Sequence, residues 1–158
     1  MPQLLLADLL TPDRIRIPLE SADKTGLIEE MCAFVARCCG ADEKEESEIR
    51  EAVLEREAVL STGIGGGVAV PHGKSQAVGS DLVLVAGRTA GPVDFDALDE
   101  RPVRLVFLLI GPESAAGLHV KALSRISRLL RSASVRERLV AAETPEIFYE
   151  ALQRAERG

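Results

Sequence analysis

Two strongly apolar runs most constrain the fold of this chain: residues 82–87 (LVLVAG) and residues 103–111 (VRLVFLLIG), the second with Arg104 as its one charged residue. Strands of this type, rich in Val and Leu and without regular polar alternation, are buried on both faces of a sheet. Each face then needs its own layer of helices. The sequence therefore predicts an α/β (α+β) fold, with a central sheet flanked by helices on both faces, in a single three-layer domain over residues 1–158.

Helical patterns occur on both sides of these runs, and "RIRIPL" near the N-terminus alternates like a half-buried strand. Apolar residues recur at helical spacing from Asp23 to Cys39, and Gly40 follows as a C-terminal stop. Residues 42–60 are predicted as a second helix whose many charges face water. The Gly-rich segment after it ends in a short strand, "VAV", at residues 68–70.

The C-terminal third of the chain contains three further predicted helices. The first covers residues 114–131, with one apolar side formed by Leu118, Ala122, Leu123, Ile126, Leu129 and Leu130. Ser134 and Glu137 have capping-box spacing for the next helix. Thr144 followed by Pro145 predicts the start of the last helix. Residues 91–102 (GPVDFDALDERP), between the two buried strands, are predicted as a turn region.

Charge and composition exclude several functional classes. The net charge of −6 disfavours a protein that binds nucleic acid through its phosphates, and the absence of Trp with a single Tyr disfavours base stacking. Asp8 interrupts the first apolar run, no cleavage site for a signal peptide follows, and no stretch reaches membrane-spanning length. We therefore expect a cytoplasmic protein with no direct membrane insertion.

The three cysteines, Cys32, Cys38 and Cys39, do not form a disulfide framework. They lie on or beside the apolar side of the first long helix, which favours buried thiols. Two histidines and scattered carboxylates show no spacing typical of metal ligands, so the sequence predicts no metal site and no cofactor.

The segment Ser61–Gly73, "STGIGGGVAVPHG", contains four glycines before a histidine that stands between Pro71 and Gly73. A phosphate-binding P-loop requires four residues between its glycines, but five separate Gly67 from Gly73, and they form an apolar strand and a proline. A dinucleotide fingerprint fails as well, because no strand–GxGxxG–helix unit surrounds these glycines. Hydrolysis with Ser61 as nucleophile and His72 as base lacks both a GxSxG elbow and a placed acid.

His72 itself is a candidate nucleophile, because a neutral imidazole nitrogen is available near neutral pH to attack a phosphoryl group. Its flanking Pro and Gly would present the ring at a strand end, and the upstream glycines would leave clearance for a phosphoryl group. The alternative is that the glycines only form a tight loop and that His72 is an ordinary surface histidine.

Arg56 and His119 strengthen the phosphoryl hypothesis. Arg56 lies seven residues after Ile49 and three after Val53, on the apolar side of its helix, where a guanidinium needs an anionic partner. His119 shares a helix side with Ala122 and lies near a helix N-terminus, where an anion is favoured. The alternatives are an arginine that extends to solvent or pairs with a core acid, and a histidine satisfied within the core.

The segment 57–73 (EAVLSTGIGGGVAVPHG) resembles the active-site signature of the enzyme IIA domains of the phosphotransferase system (PTS), of the fructose/mannitol/nitrogen type. The signature positions are filled by Glu57, Ile64, Gly65, Val68, Ala69, Val70, Pro71, His72 and Gly73. The likeness continues through "VDFDALDERPVRLVFLLIGP" and "HVKALSRISRLLRS" and covers about residues 13–152. It implies a mixed β-sheet flanked by helices.

The resemblance implies a role for each candidate residue. His72 matches the histidine that the family phosphorylates, His119 matches the neighbouring second histidine, and Arg56 matches an arginine that binds the phosphoryl group. It also implies the partners: an HPr-like phosphocarrier as donor, and a IIB domain of a fructose- or mannitol-type permease as acceptor. A nitrogen-type regulatory protein, whose phosphorylation state controls binding to partner proteins without sugar transport, remains the alternative.

Overall fold

The computed structural model describes residues 4–158, so the first three residues of the predicted domain lie outside the described part of the chain. The strands are β1 Ile15–Leu19, β2 Gly63–Gly65, β3 Val68–Ala69, β4 His72–Lys74, β5 Val83–Val93 and β6 Val103–Gly111. The helices are α1 Leu6–Leu9, α2 Lys24–Cys38, α3 Glu43–Val59, α4 Ala116–Leu129, α5 Ala133–Ala141 and α6 Pro145–Arg157. None of these helices is long and apolar enough to cross a membrane.

The six strands form one mixed sheet in the order β1-β5-β6-β3-β2, and β4 also pairs with β6. β5 and β6 are antiparallel, whereas β1 runs parallel to β5. β3 and β4 both run parallel to the same edge of β6, one after the other: β3 pairs at Leu105 and Val106, and β4 pairs from Leu109 to Gly111. This arrangement confirms the predicted mixed sheet.

Side chains of β6 alternate between two separate cores. Leu105, Phe107 and Leu109 face a core formed with α1, α4, α5 and α6. Val106, Leu108 and Ile110 face a second core formed with α2 and α3. All six side chains are essentially inaccessible to solvent. The apolar run of β6 is therefore explained by burial on both faces of the sheet, as predicted.

Most of the predicted helix ends are confirmed by their hydrogen bonds. Asp23 and Thr144 cap α2 and α6, and Gly40 follows α2 with φ +67°. Asp42 forms a reciprocal capping box with Glu45 at the start of α3.

Cys32 is fully buried, which raises the pKa of its thiol to about 12, whereas the other two cysteines are half-buried.

Three local predictions are wrong. The cap of α5 is Ser132, whose Oγ accepts from the amide of Val135, so that Ser134 lies inside the helix. Leu118 is 48% exposed, because α4 packs on the sheet through Ala122 and Ile126 instead. The predicted turn at residues 91–102 begins later, since β5 continues to Val93 and pairs there with β6.

Candidate phosphoryl-transfer site

His72 opens β4, and its position is set by the pairing of that strand with the carboxyl-end half of β6. His72 lies opposite Leu109 in the parallel ladder, and the Leu109 amide donates to the Pro71 carbonyl at 3.1 Å. Gly73 then lies directly against the backbone of α3. A Cβ added there would be 3.0 Å from the carbonyl carbon of Ala52. The glycine after the histidine is thus required by close strand–helix packing.

The imidazole of His72 is half-buried, and its hydrogen bond indicates which ring nitrogen carries the proton. Nδ1 lies 2.9 Å from the carbonyl oxygen of Val70. A carbonyl oxygen only accepts, so Nδ1 carries the proton and Nε2 of the neutral ring keeps a free lone pair. Burial is the main effect and lowers the pKa of His72. The Val70 hydrogen bond partly opposes it, the positive charge of Arg56 lowers the pKa further, and Glu57 has the smallest, raising effect. The ring is therefore neutral at pH 7.

His119 lies in the first turn of α4 and meets His72 edge to face. The two ring centroids are 5.3 Å apart with an interplanar angle of 67°. His119 is 5% exposed, and its Nε2 is buried without a hydrogen-bond partner among the described residues. Burial, with the nearby His72 and Lys74, lowers the pKa of His119 to about 4. The predicted proximity of two histidines from distant segments is thus present.

Arg56 lies in the last turn of α3, but not on the buried side of the helix. The buried side chains of α3 are Ile49, Val53 and Glu57, spaced four residues apart. Arg56 is half-buried beside them and donates from Nη1 to the Leu60 carbonyl at 2.7 Å, which satisfies an unpaired carbonyl after the helix. The prediction that Arg56 occupies the apolar stripe is therefore wrong, although its charge does reach His72.

Glu57 fills a position of the signature, but no role of its own was predicted for it, and it proves to be a structural element of the site. Its buried carboxylate accepts hydrogen bonds from the amide and the hydroxyl of Thr62. Lys24 of α2 lies 3.1 Å from the same carboxylate and above the ring of Phe95. These contacts fix the connection from α3 to β2. The sequence did indicate that Glu57 is buried, because it follows Val53 by four residues, as Val53 follows Ile49, and therefore lies on the same side of α3.

The glycines upstream do not provide clearance around His72. Gly65, Gly66 and Gly67 have φ values of +95°, +65° and +82° and form the turn between β2 and β3. The carbonyl of Gly67 accepts from the amides of residues 104 and 105, at the start of β6. His72 pairs four residues farther along, or about 13 Å at the rise of a strand. The tight-loop interpretation of the glycines is the correct one.

The hydroxyl of Ser61 forms hydrogen bonds with backbone groups and not with His72. It donates to the Phe95 carbonyl at 2.8 Å and accepts from the amide of Gly63. Among residues 4–158, no group of three or more His, Cys, Asp and Glu side chains is arranged to hold a metal ion. The site contains the neutral imidazoles of His72 and His119, and the positive charge of Arg56 acts on the first of them.

The chain is similar to known proteins over nearly all of its length. The family model for the "phosphoenolpyruvate-dependent sugar phosphotransferase system, EIIA 2" matches residues 8–155. A nitrogen regulatory protein of Bradyrhizobium diazoefficiens is 37% identical over 147 residues, covering 93% of this chain and 94% of the relative. The fructose-specific EIIABC component of the PTS of Bacillus subtilis is 33% identical over 152 residues, covering 96% of this chain but 24% of that longer protein.

A solved structure is similar throughout. The crystal structure of the nitrogen regulatory protein IIA-Ntr from Neisseria meningitidis superposes with a TM-score of 0.83 at 33% sequence identity. The match covers 93% of this chain and 98% of that protein. The sheet order and the helical layers described above are therefore those of a known three-layer domain.

Proposed function

Because the chain belongs to the EIIA 2 family of the phosphoenolpyruvate-dependent sugar phosphotransferase system, a family of phosphoryl-relay components, we propose that His72 is its phosphoryl acceptor. The observation that carries this proposal is the hydrogen bond from Nδ1 of His72 to the Val70 carbonyl. It leaves Nε2 unprotonated in the neutral ring, which is the state that a nitrogen nucleophile requires.

The transfer begins with a phosphorylated donor protein of the HPr kind. Nε2 of His72 attacks phosphorus in line as the donor's N–P bond breaks, and the donor imidazole leaves with that electron pair. The His72 ring becomes positively charged as its N–P bond forms. The Val70 carbonyl, 2.9 Å from Nδ1–H, stabilises this charge through a charge-assisted hydrogen bond.

Arg56 and His119 are proposed to bind the transferred phosphoryl oxygens. The support for Arg56 is that its positive charge lowers the pKa of His72, and the same charge would favour a negatively charged phosphoryl group on that ring. Nε2 of His119 is a buried polar atom without a protein partner, and its ring adjoins His72. In the neutral Nε2–H tautomer it would donate to a phosphoryl oxygen without adding charge.

The main proposal for the next step is transfer to a IIB domain that serves a fructose- or mannitol-type permease. Its support is the fructose-specific relative, whose name combines EIIA with EIIB and EIIC in one protein. The second candidate is a nitrogen-type regulator that binds partner proteins according to its phosphorylation state. Its support is the nitrogen regulatory relative, which this chain matches over 94% of that protein's length.

We also propose that the chain acts as a single EIIA domain in the cytoplasm. The family match over residues 8–155 supports one domain, and phosphoryl exchange with carrier proteins requires a shared aqueous compartment. Cell fractionation with the protein at native abundance checks the location, and a membrane-bound pool that resists salt would contradict it.

The function is tested by incubating the protein with phosphoenolpyruvate, its upstream kinase and a phosphocarrier, followed by mass spectrometry. We expect one phosphoryl group on the wild type, none on His72→Gln, and slowed incorporation on His119→Gln. Normal labelling of His72→Gln would contradict the proposal. Adding a purified IIB domain, or capturing partners with the phosphorylated and unphosphorylated forms, then distinguishes sugar transport from regulation.

A further inference from the structure

We propose that a small organic anion, carrying a phosphate or carboxylate group, binds in a pocket at the end of β6 opposite His72. The pocket lies between the β2–β3 turn, the start of β6 and α5, and has a volume of about 410 Å³. This volume is within the range of small-molecule sites in proteins. We call it the arginine pocket, after the lining residues Arg101, Arg104 and Arg136.

The charge of the arginine pocket is opposite to that of the whole chain. Three arginines and one acid, Glu137, line it, whereas the chain carries a net charge of −6. Asp99 lies at the edge, where its carboxylate accepts from the amides of Gly66 and Arg101. A local excess of positive charge favours the binding of anions in this pocket, although the protein as a whole is acidic.

Two of the guanidinium groups are half-buried and bonded only to neutral oxygens. Arg104 donates to the hydroxyl and the carbonyl of Thr89 at 3.1 Å each. Arg136 donates from Nη1 to the carbonyls of Leu130 and Arg131 at 2.7 and 2.9 Å. Within residues 4–158, neither takes part in an ion pair with a carboxylate. Their orientation is fixed while their charge remains uncompensated, which is the state that a bound anion stabilises.

The turn of glycines gives the pocket part of its shape. A Cβ at Gly66 would lie 2.9 Å from Nε of Arg136 and 3.0 Å from its Cζ, so only glycine allows this guanidinium to lie against the turn. Ala133, the first residue of α5, lines the same pocket, and the positive end of the helix dipole therefore acts in the same direction as the arginines. The arginine side chains are thus ordered before a ligand binds, which reduces the entropic cost of binding.

The rest of the lining indicates the size and character of the ligand. Pro102, Val140 and Ala141 contribute apolar surface to the lining, and none of the described lining residues is aromatic. These features fit a compact molecule with one anionic group and a short carbon skeleton better than a nucleotide, whose base would need a stacking partner. The pocket does not include His72, so its test is independent of phosphoryl transfer.

The proposal is tested by NMR titration of the wild-type protein with inorganic phosphate, glycerol 3-phosphate and succinate, with ionic strength held constant by chloride. We expect saturable shifts of the amides of Gly66, Gly67 and Ala133. Response to the two phosphate probes alone assigns a phosphate site, and response to succinate alone assigns a carboxylate site. Absence of saturable shifts with all three probes would overturn the proposal.

Two variants that each remove one positive charge separate a built site from general attraction. Arg101→Gln removes an exposed pocket charge and leaves the hydrogen bonds of Arg104 and Arg136 in place, so we expect about tenfold weaker binding. The control is Arg37→Gln, an exposed position in the last turn of α2 on the other side of the sheet, which should leave the affinity unchanged. Equal weakening by both variants would overturn the proposal, because it would indicate nonspecific attraction of anions.

Discussion

Replacing His119 with glutamine should flatten the pH dependence of the protein's stability between pH 7 and pH 5. His119 is buried and its pKa is about 4, whereas the ordinary pKa of a histidine side chain is 6.5. Between these values the unfolded chain binds a proton at this residue and the folded chain does not. The free energy of unfolding therefore contains a contribution that is present at neutral pH and is lost as the pH falls through this range.

The magnitude follows from the two pKa values. For a group that titrates at 6.5 when unfolded and near 4 when folded, lowering the pH from 7 to 5 removes about 2 kcal/mol of stability. This is a large fraction of the ~5–15 kcal/mol that holds a typical domain folded. Glutamine does not titrate, so the variant lacks this contribution whatever its absolute stability at pH 7.

Urea unfolding followed by circular dichroism at pH 7, 6 and 5 measures the effect. The carboxylates of the protein titrate in both forms, so the difference in slope between wild type and His119→Gln isolates the histidine. We expect the wild type to lose about 2 kcal/mol more than the variant over this range. Parallel stability curves for the two proteins would refute the conclusion that His119 is held neutral in the folded state.

Two further substitutions test the surroundings of His72. Arg56→Ala should slow phosphoryl transfer about a hundredfold in rapid-quench assays, because a charged donor to the phosphoryl oxygens is lost. Arg56→Lys should partly restore the rate. A normal transfer rate in an Arg56→Ala variant with greatly reduced thermal stability would instead assign Arg56 to helix capping. Gly73→Ala should destabilise the protein by about 1–3 kcal/mol in urea unfolding, because its Cβ would lie 3.0–3.2 Å from atoms of Ala52 and the adjoining amide. The control is Gly91→Ala, with no neighbouring atom within 4 Å, which should change stability by less than about 0.5 kcal/mol; equal effects of the two variants would contradict the packing argument.

The three-layer architecture could be predicted from the sequence because the apolar composition of β5 and β6 indicates strands that are buried on both faces of the sheet. Apolar runs that lack polar alternation require two covering layers, and the helical patterns supply them. Local ambiguity caused the errors: Ser132 and Ser134 both precede a helical pattern, and only the hydrogen bond to Val135 identifies the cap. Leu118 fits the helical period, but the orientation of α4 on the sheet leaves it exposed.

The candidate site could be predicted only in part. The signature around His72 identified the proposed nucleophile, and helical phase placed His119 on a buried side of α4, where the structure has it. The position of the glycines relative to His72 was not predictable, because it depends on how β3 and β4 divide the edge of β6 between them. The same tertiary dependence applies to Arg56, since the end of α3 directs its guanidinium to Leu60 rather than into the core.

The central claim, that Nε2 of His72 carries the phosphoryl group, is tested most directly by long-range ¹H–¹⁵N correlation NMR of the phosphorylated protein. The hydrogen bond of Nδ1 to the Val70 carbonyl predicts that Nδ1 remains protonated and that phosphorus is bonded to Nε2. The His119 ring should stay unmodified, with its Nε2 resonance shifted by the new phosphoryl neighbour. Phosphorus on Nδ1 of His72, on His119 or on any other residue would contradict the account.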